Sequence, residues 1–175
     1  SKILKLNIKQ KYIIDKNPFN FLYVGFILKA MPEAKIVHMH RNPMAVCWSN
    51  YKANFFDNVG MDYAHRLETI GEFYLIYNDI MKFWKELYPD CFINIDYDKF
   101  VTNSEKNSKS LVKSLGLEWE DKIFQFSENE RVVVTNSLFQ VRSKVYKNSS
   151  QDWLKFKKHL FPITQILKKN KIIFS

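Results

Sequence analysis

Arg41, Asn42, Pro43 and Ser49 are residue types that, at this spacing, describe an anion site. A guanidinium is a planar fork that can pair with two oxygens of a phosphate or sulfate. Asn42 is a good N-cap residue and Pro43 suits the first helical position, so a helix is predicted to start directly after the cation. The free N–H groups and dipole of that helix attract the same negative charge. Ser49, eight residues after Arg41, falls about two turns into the helix and can supply a hydroxyl. Ahead of the arginine, Ala34 to His40 is a short apolar run with β-branched Ile36 and Val37, which reads as a buried strand. Alone, this strand, cation and helix fit the rim of many α/β proteins.

The elements that must position these groups follow in chain order. Ser1 to Gln10 alternates apolar and polar residues and suits either a strand edge or a weak helix. Lys11 to Asp15 is β-prone, and Asn17-Pro18 after Lys16 repeats the helix-start signal. Phe19, Leu22, Tyr23, Phe26, Ile27 and Ala30 then recur at helical spacing until Met31-Pro32. Strand, helix and strand over this length predict a parallel crossover, with Lys16 and Arg41 both at carboxyl ends of strands, where open parallel sheets bind ligands. A long amphipathic helix is predicted from Tyr63 to Tyr88, with Leu67, Ile70, Tyr74, Tyr77, Met81, Trp84 and Tyr88 as its apolar stripe. Cys91 to Tyr97 reads as the next strand, placing Tyr97 at its end. Asn103-Ser104-Glu105 opens a helix that stops at Gly116, and a short helix is predicted over Asp121 to Phe126. Thr135 to Arg142 lacks periodicity and reads as a loop. Ser149-Ser150 caps a helix with Trp153, Phe156 and Leu160 on one side, and Pro162 starts the last helix, Ile163 to Lys169.

The chain has 175 residues, 46% of them hydrophobic and 16% aromatic, which excludes disorder and suits one domain with a core. A net charge of +9 points to anionic partners. The basic excess is greatest from Arg142 to Lys171, where nine basic residues face the single acid Asp152. Two cysteines make no disulfide framework, and no Cys/His spacing suits zinc, so no metal is expected. Neither a membrane span nor a signal peptide is visible, and a cytoplasmic location is expected.

The exact residues add a resemblance. Ala34-Lys-Ile-Val-His with Arg41-Asn42-Pro43 and Ser49 resembles the 3′-phosphate-binding element of sulfotransferases that use 3′-phosphoadenosine 5′-phosphosulfate (PAPS). There, an AKIIH-type strand precedes R-x-P and a Ser eight residues after the Arg. Asp15-Lys-Asn-Pro-Phe-Asn-Phe21 resembles the D-K-x-P-x-N-F motif of bacterial sulfotransferase domains that often follow tetratricopeptide repeats, and the K-D-P-F stretch of tyrosylprotein sulfotransferases. This maps the family's catalytic lysine onto Lys16. Tyr97-Asp-Lys-Phe100 is similar to the family's Y-E-x-L, whose tyrosine approaches the adenine. Gly116-Leu-Glu-Trp119 matches its G-L-x-W turn. Ser137, Gln140, Val141, Arg142 and Tyr146 match the loop S-x-x-Q-V-R-x-P-x-Y that closes over the nucleotide, with Lys144 in place of the proline. Ser149 to Trp153 resembles S-S-x-x-W-x-x-Y.

Departures remain. Ala45 stands where relatives usually have Asp, Ala53 where the tyrosylprotein branch has a second arginine, and Asp152 where relatives often carry a cation toward the 3′-phosphate. The family's G-x-P-R-S-G-T-T-like loop, which holds the 5′-phosphosulfate, has no counterpart in these residues. The resemblance therefore implies a P-loop-NTPase-like parallel sheet flanked by helices, with residues 1–175 as a single domain truncated at its amino end. It implies PAPS as donor and a hydroxyl or phenol acceptor on a peptide, glycan or small molecule. Lys16 would assist the leaving oxygen, with the nucleotide held by Arg41, Ser49, Tyr97 and the loop Ser137, Gln140, Val141, Arg142, Lys144 and Tyr146. Two other readings stay open: a catalytically inactive nucleotide-binding or interaction module on the same fold, and a basic polyanion binder. Nucleic acid is not expected, because no nucleic-acid fold motif is present. The oligomeric state stays open.

Overall fold

The structure, a computed structural model, describes residues 11–53, 55, 60–123 and 149–174. Two parallel strands, β1 (Ile36–His40) and β2 (Phe92–Asp96), pair with Ile36 opposite Phe92 and His40 opposite Asp96. Both strands therefore end at one sheet edge, and Arg41 and Tyr97 follow them directly. Helix α1 (Val24–Ala30) precedes β1, and α2 (Pro43–Ala53) and α3 (Leu67–Leu87) connect the strands. After β2 come α4 (Tyr97–Thr102), α5 (Ser104–Ser114), a 3-10 helix (Ser149–Phe156) and α6 (Phe161–Lys169). This is a helix-rich α/β unit around a small parallel sheet.

The predicted start signals act where the sequence puts them. Asn42 Oδ1 accepts the N–H of Ala45 at 3.1 Å, and the Asn42 carbonyl accepts from Val46 at 3.0 Å, so α2 begins directly behind Arg41. Asn17 Oδ1 likewise accepts from the Phe19 N–H at 2.9 Å. Asn103 caps α5, and Gly116 takes φ +70 just beyond it, where a side chain would be strained.

The core is helical. Met44, Ala45 and Cys47 of α2 pack with Ile70 of α3, Trp153 and Leu160, and Ile163 and Leu167 of α6. Complete burial of a side chain such as Leu167 or Ile163 contributes about 1.5–3 kcal/mol. Gly71 lets α6 approach α3: a Cβ there would lie 3.1 Å from Ile166. Burial pushes the Cys47 thiol up to about 12, so it behaves as an inert core residue. Cys47 and Cys91 are both free.

Several expectations are corrected. The β-prone run Lys11–Asp15 is not a strand, and Ile14 is 92% exposed. An extended segment becomes a strand only by hydrogen bonding to a neighbour, and no described residues pair with it. Lys16 therefore does not follow a strand. β1 is half-open rather than buried, with Val37 and Met39 exposed. The helix predicted from Phe19 begins as a 3-10 helix (Pro18–Leu22) and turns α-helical only after Tyr23. That change of pitch rotates the inward face to Val24 and Leu28 and leaves Phe26 76% exposed. The long helix starts at Leu67 rather than Tyr63, because Arg66 is extended behind a 3-10 turn (Asp62–His65). Ser149–Phe156 is a 3-10 helix, and only residues 121–123 of the predicted 121–126 helix are described.

Trp84 ties α1 to α3. Its Nε1 donates to the Phe21 carbonyl at 2.8 Å, and its ring stacks on Tyr88. A Cβ on Gly25 would fall 2.7 Å from this anchored ring, inside any real contact. Gly25→Ala should therefore destabilise the fold by about 1–3 kcal/mol despite its better helix propensity. Urea unfolding measures this; an equal or higher midpoint would show that the ring moves freely.

Candidate functional site

The carboxyl edge of the sheet concentrates one uncompensated positive charge. Arg41 leaves β1 and lays its guanidinium over the Tyr97 ring, 4.8 Å from the centroid, a cation–π contact across the two strand ends. Its Nε donates to Ser150 Oγ at 2.5 Å and its Nη2 to Ser149 Oγ at 2.6 Å. The described residues offer Arg41 no carboxylate partner. Arginine has five N–H donors, so among the described residues most remain unused, and each serine that accepts from Arg41 keeps its own O–H to donate. The cradle thus presents only donors and positive charge.

Packing brings the serines here across more than a hundred residues of chain. Trp153, four residues after Ser149, is buried in the core and meets Phe174 edge-on. Phe156 rests on Trp48 of α2, ring centroids 4.5 Å apart. The Phe174 carbonyl accepts from Asn42 Nδ2 at 3.0 Å, which ties the chain's end to the residue beside Arg41. Ser150 is itself buried. Nearby, Asp96 Oδ1 caps α4 by accepting from the N–H groups of Asp98 and Lys99, and its other oxygen lies 3.8 Å from Lys99 Nζ. That carboxylate is therefore engaged away from Arg41.

Of the sequence-predicted residues, Arg41 and Tyr97 are brought together. Ser49 is exposed on α2, and Arg41 bonds to Ser149 and Ser150 instead. Lys16 is exposed just before the Asn17 cap and makes no hydrogen bond or ion pair with another described residue. Ser137, Gln140, Val141, Arg142, Lys144 and Tyr146 lie outside the described residues. Asp152, the unexpected acid, sits 3.6 Å from Lys155 Nζ, which offsets its charge. Ala45 is 2% exposed, so the aspartate common in relatives would be a core carboxylate here. The sequence motif S-S-x-x-W carried the only signal for Ser149 and Ser150, and a capping role hid it.

The parallel strand pair, with an arginine at its end that has no acid partner among the described residues, an aromatic face and two hydroxyls, defines an α/β protein with a positively charged sheet edge. The sequence profile of the sulfotransferase family matches residues 2–121, more than half of the chain, and the chain belongs to that family. It is also 35% identical over 167 residues to a protein of Aquifex aeolicus (strain VF5) described as "Uncharacterized protein". That match covers 95% of this chain but only 22% of the relative's length. Among the described residues no His, Cys, Asp and Glu cluster could hold a metal, and no helix is long and apolar enough to cross a membrane.

A second polar cluster lies on the sheet itself. His38 Nδ1 faces Asn94 Oδ1 at 3.3 Å, so Nδ1 carries the proton, and Nε2 accepts from the Tyr77 hydroxyl at 2.5 Å. Burial, then the nearby Lys85 charge, hold His38 down to about 4, with Asn94 opposing and His40 adding a little. Burial also pushes Tyr77 up to about 12. The unfolded chain takes up this proton near pH 6.5 and the folded chain only near 4. Stability linked to His38 is therefore complete above 6.5 and lost as pH falls toward 4. Allowing for solvent screening, the loss is about 1–2 kcal/mol. Urea unfolding of the wild type against His38→Gln across this window should show the difference; parallel curves would remove the assignment.

Proposed function

We propose that this chain is the nucleotide-holding part of a PAPS-dependent sulfotransferase domain, and that Arg41 grips the 3′-phosphate. The observation that carries this is the arginine's setting: no acid among the described residues, two hydroxyls on its edge and an aromatic ring on its face. A 3′-phosphate oxygen set matches the remaining guanidinium donors and the serine protons. Tyr97 offers the adenine end a ring beside the same cation, and Ser49 adds a hydroxyl from α2. The donor would supply an activated sulfuryl group, passed to a hydroxyl or phenol. Lys16 would stabilise charge on the departing phosphate oxygen without holding the adenosine end. Ser137, Gln140, Val141, Arg142, Lys144 and Tyr146 remain the proposed covering loop. Residues 1–175 would form one domain. The whole protein's acceptor would be a peptide, glycan or small molecule.

Isothermal titration should find adenosine 3′,5′-bisphosphate bound more tightly than 5′-AMP. Arg41→Ala should erase most of that preference, on the order of 1.5–3 kcal/mol for charge-assisted bonds. Equal affinity for the two nucleotides in the wild type would overturn the 3′-phosphate assignment.

The competing reading, an inactive binding module, is separated from the enzyme by Lys16. In a domain that also carries a phosphosulfate-binding loop, Lys16→Ala should cut single-turnover sulfuryl transfer by roughly a hundredfold, about 2.7 kcal/mol, while bisphosphate affinity changes little. Absence of transfer in the wild type, with the bisphosphate preference intact, would favour the module.

A further inference from the structure

A cleft of about 1030 Å³ opens between α4, the Ser149–Phe156 helix and α6, beside the Arg41 cradle and lined in part by Asn42 and Ser150. Its size is at the upper end of small-ligand sites, about 300–1,000 Å³. Two features describe what it would take. Val101, Trp153, Leu154 and Phe161 give it apolar walls, and Leu154 and Phe161 are exposed rather than folded into the core. Lys157, Lys158 and Lys168 line it against one acid, Asp98, and none of the three lysines makes an ion pair among the described residues.

The position of the lysines argues against a merely solvated face. Lys168 is in the last turn of α6, where a cation complements the helix dipole. Lys157 and Lys158 instead stand just ahead of Phe161, the first residue of α6, where the dipole opposes positive charge. Leu160, the N-cap, provides no side-chain cap, so nothing on that residue neutralises the helix start near the two lysines. Cations unpaired among the described residues, over exposed leucine and phenylalanine, fit a negative head group attached to an apolar body.

We propose that this cleft binds a single amphiphilic anion: a carboxylate, phosphate or sulfate on an alkyl or aryl body. The head group sits at Lys157 and Lys158, and the body lies along Val101, Leu154 and Phe161. The concave shape favours a free molecule over a membrane leaflet, which needs a protruding apolar face. The apolar walls favour it over a polyanionic chain, whose sites are open and charged. The proposal does not rest on the nucleotide reading, because the Arg41 side chain takes no part in it.

Isothermal titration of the chain with undecanoate tests this. Binding should be at least about tenfold tighter than for undecanol, which lacks the charge, or acetate, which lacks the body. Lys157→Gln with Lys158→Gln should weaken undecanoate by about tenfold or more, and Leu154→Ser with Phe161→Ser should do the same. A terminally brominated undecanoate should quench Trp153, with the quench lost in Trp153→Phe and kept in Trp48→Phe. If Trp153→Phe fails to fold, the titrations of the surface variants decide. Undecanol matching undecanoate, affinity indifferent to the lysines, tight heparin binding without undecanoate binding, or binding only to phosphatidylglycerol vesicles would each overturn the proposal.

Discussion

A cation without an acid is the constraint on which this molecule's site depends. Arg41 reaches the sheet edge with a full charge that no described carboxylate neutralises, yet its surroundings are ordered. Hydroxyl acceptors and a π face stabilise a guanidinium without cancelling its field, which an ion pair would do. Asp96 could have been that pair, because it lies opposite His40, the residue just before Arg41. Its capping of α4 removes it from competition. The same arrangement that ends β2 thus keeps the neighbouring charge available.

Support for the edge comes from the helices rather than the sheet. The two strands define where Arg41 and Tyr97 emerge, but the buried mass lies in α2, α3, α6 and the Ser149–Phe156 helix. α2 does both jobs. Its first residues start behind Arg41, and Met44, Ala45 and Cys47 lock it into the core from that first turn onward. A helix so fixed cannot drift relative to the cation it follows, so the direction of its N-terminal donors is set by packing.

Much of this was legible in the sequence because it is local. Caps at Asn17, Asn42 and Asn103 and the stop at Gly116 are short-range chemistry, and each appears in place. The α/β class and family followed from ordered motifs, and the family assignment stands on the profile match. What the sequence hid depends on partners far along the chain. Tyr12 to Ile14 has strand-forming residues, but pairing is a property of two segments. The inward face of α1 turned on a change of helical pitch at Tyr23 that periodicity does not register. Ser149 and Ser150 looked like a cap, and only tertiary packing shows them on Arg41. Lys157 and Lys158 belong to the basic run from Arg142 to Lys171, and only the fold shows α4 forming the opposite wall of their cleft.

The distance in sequence between Arg41 and its serines, 109 positions for Ser150, has a kinetic meaning. During synthesis Arg41, α2 and the sheet can form their neighbourhood while the serines are still unmade. The cradle closes only when Trp153, Leu160, Ile163 and Leu167 dock and complete the core. Such late, long-range contacts are the slow part of folding, because loop closure precedes the energy that rewards it. The closed cradle at Arg41 is therefore a timestamp: a nascent or misassembled chain has the cation but not the serines around it. A ligand that binds the closed cradle draws on the last folding step and holds the carboxyl-terminal helices in place by mass action.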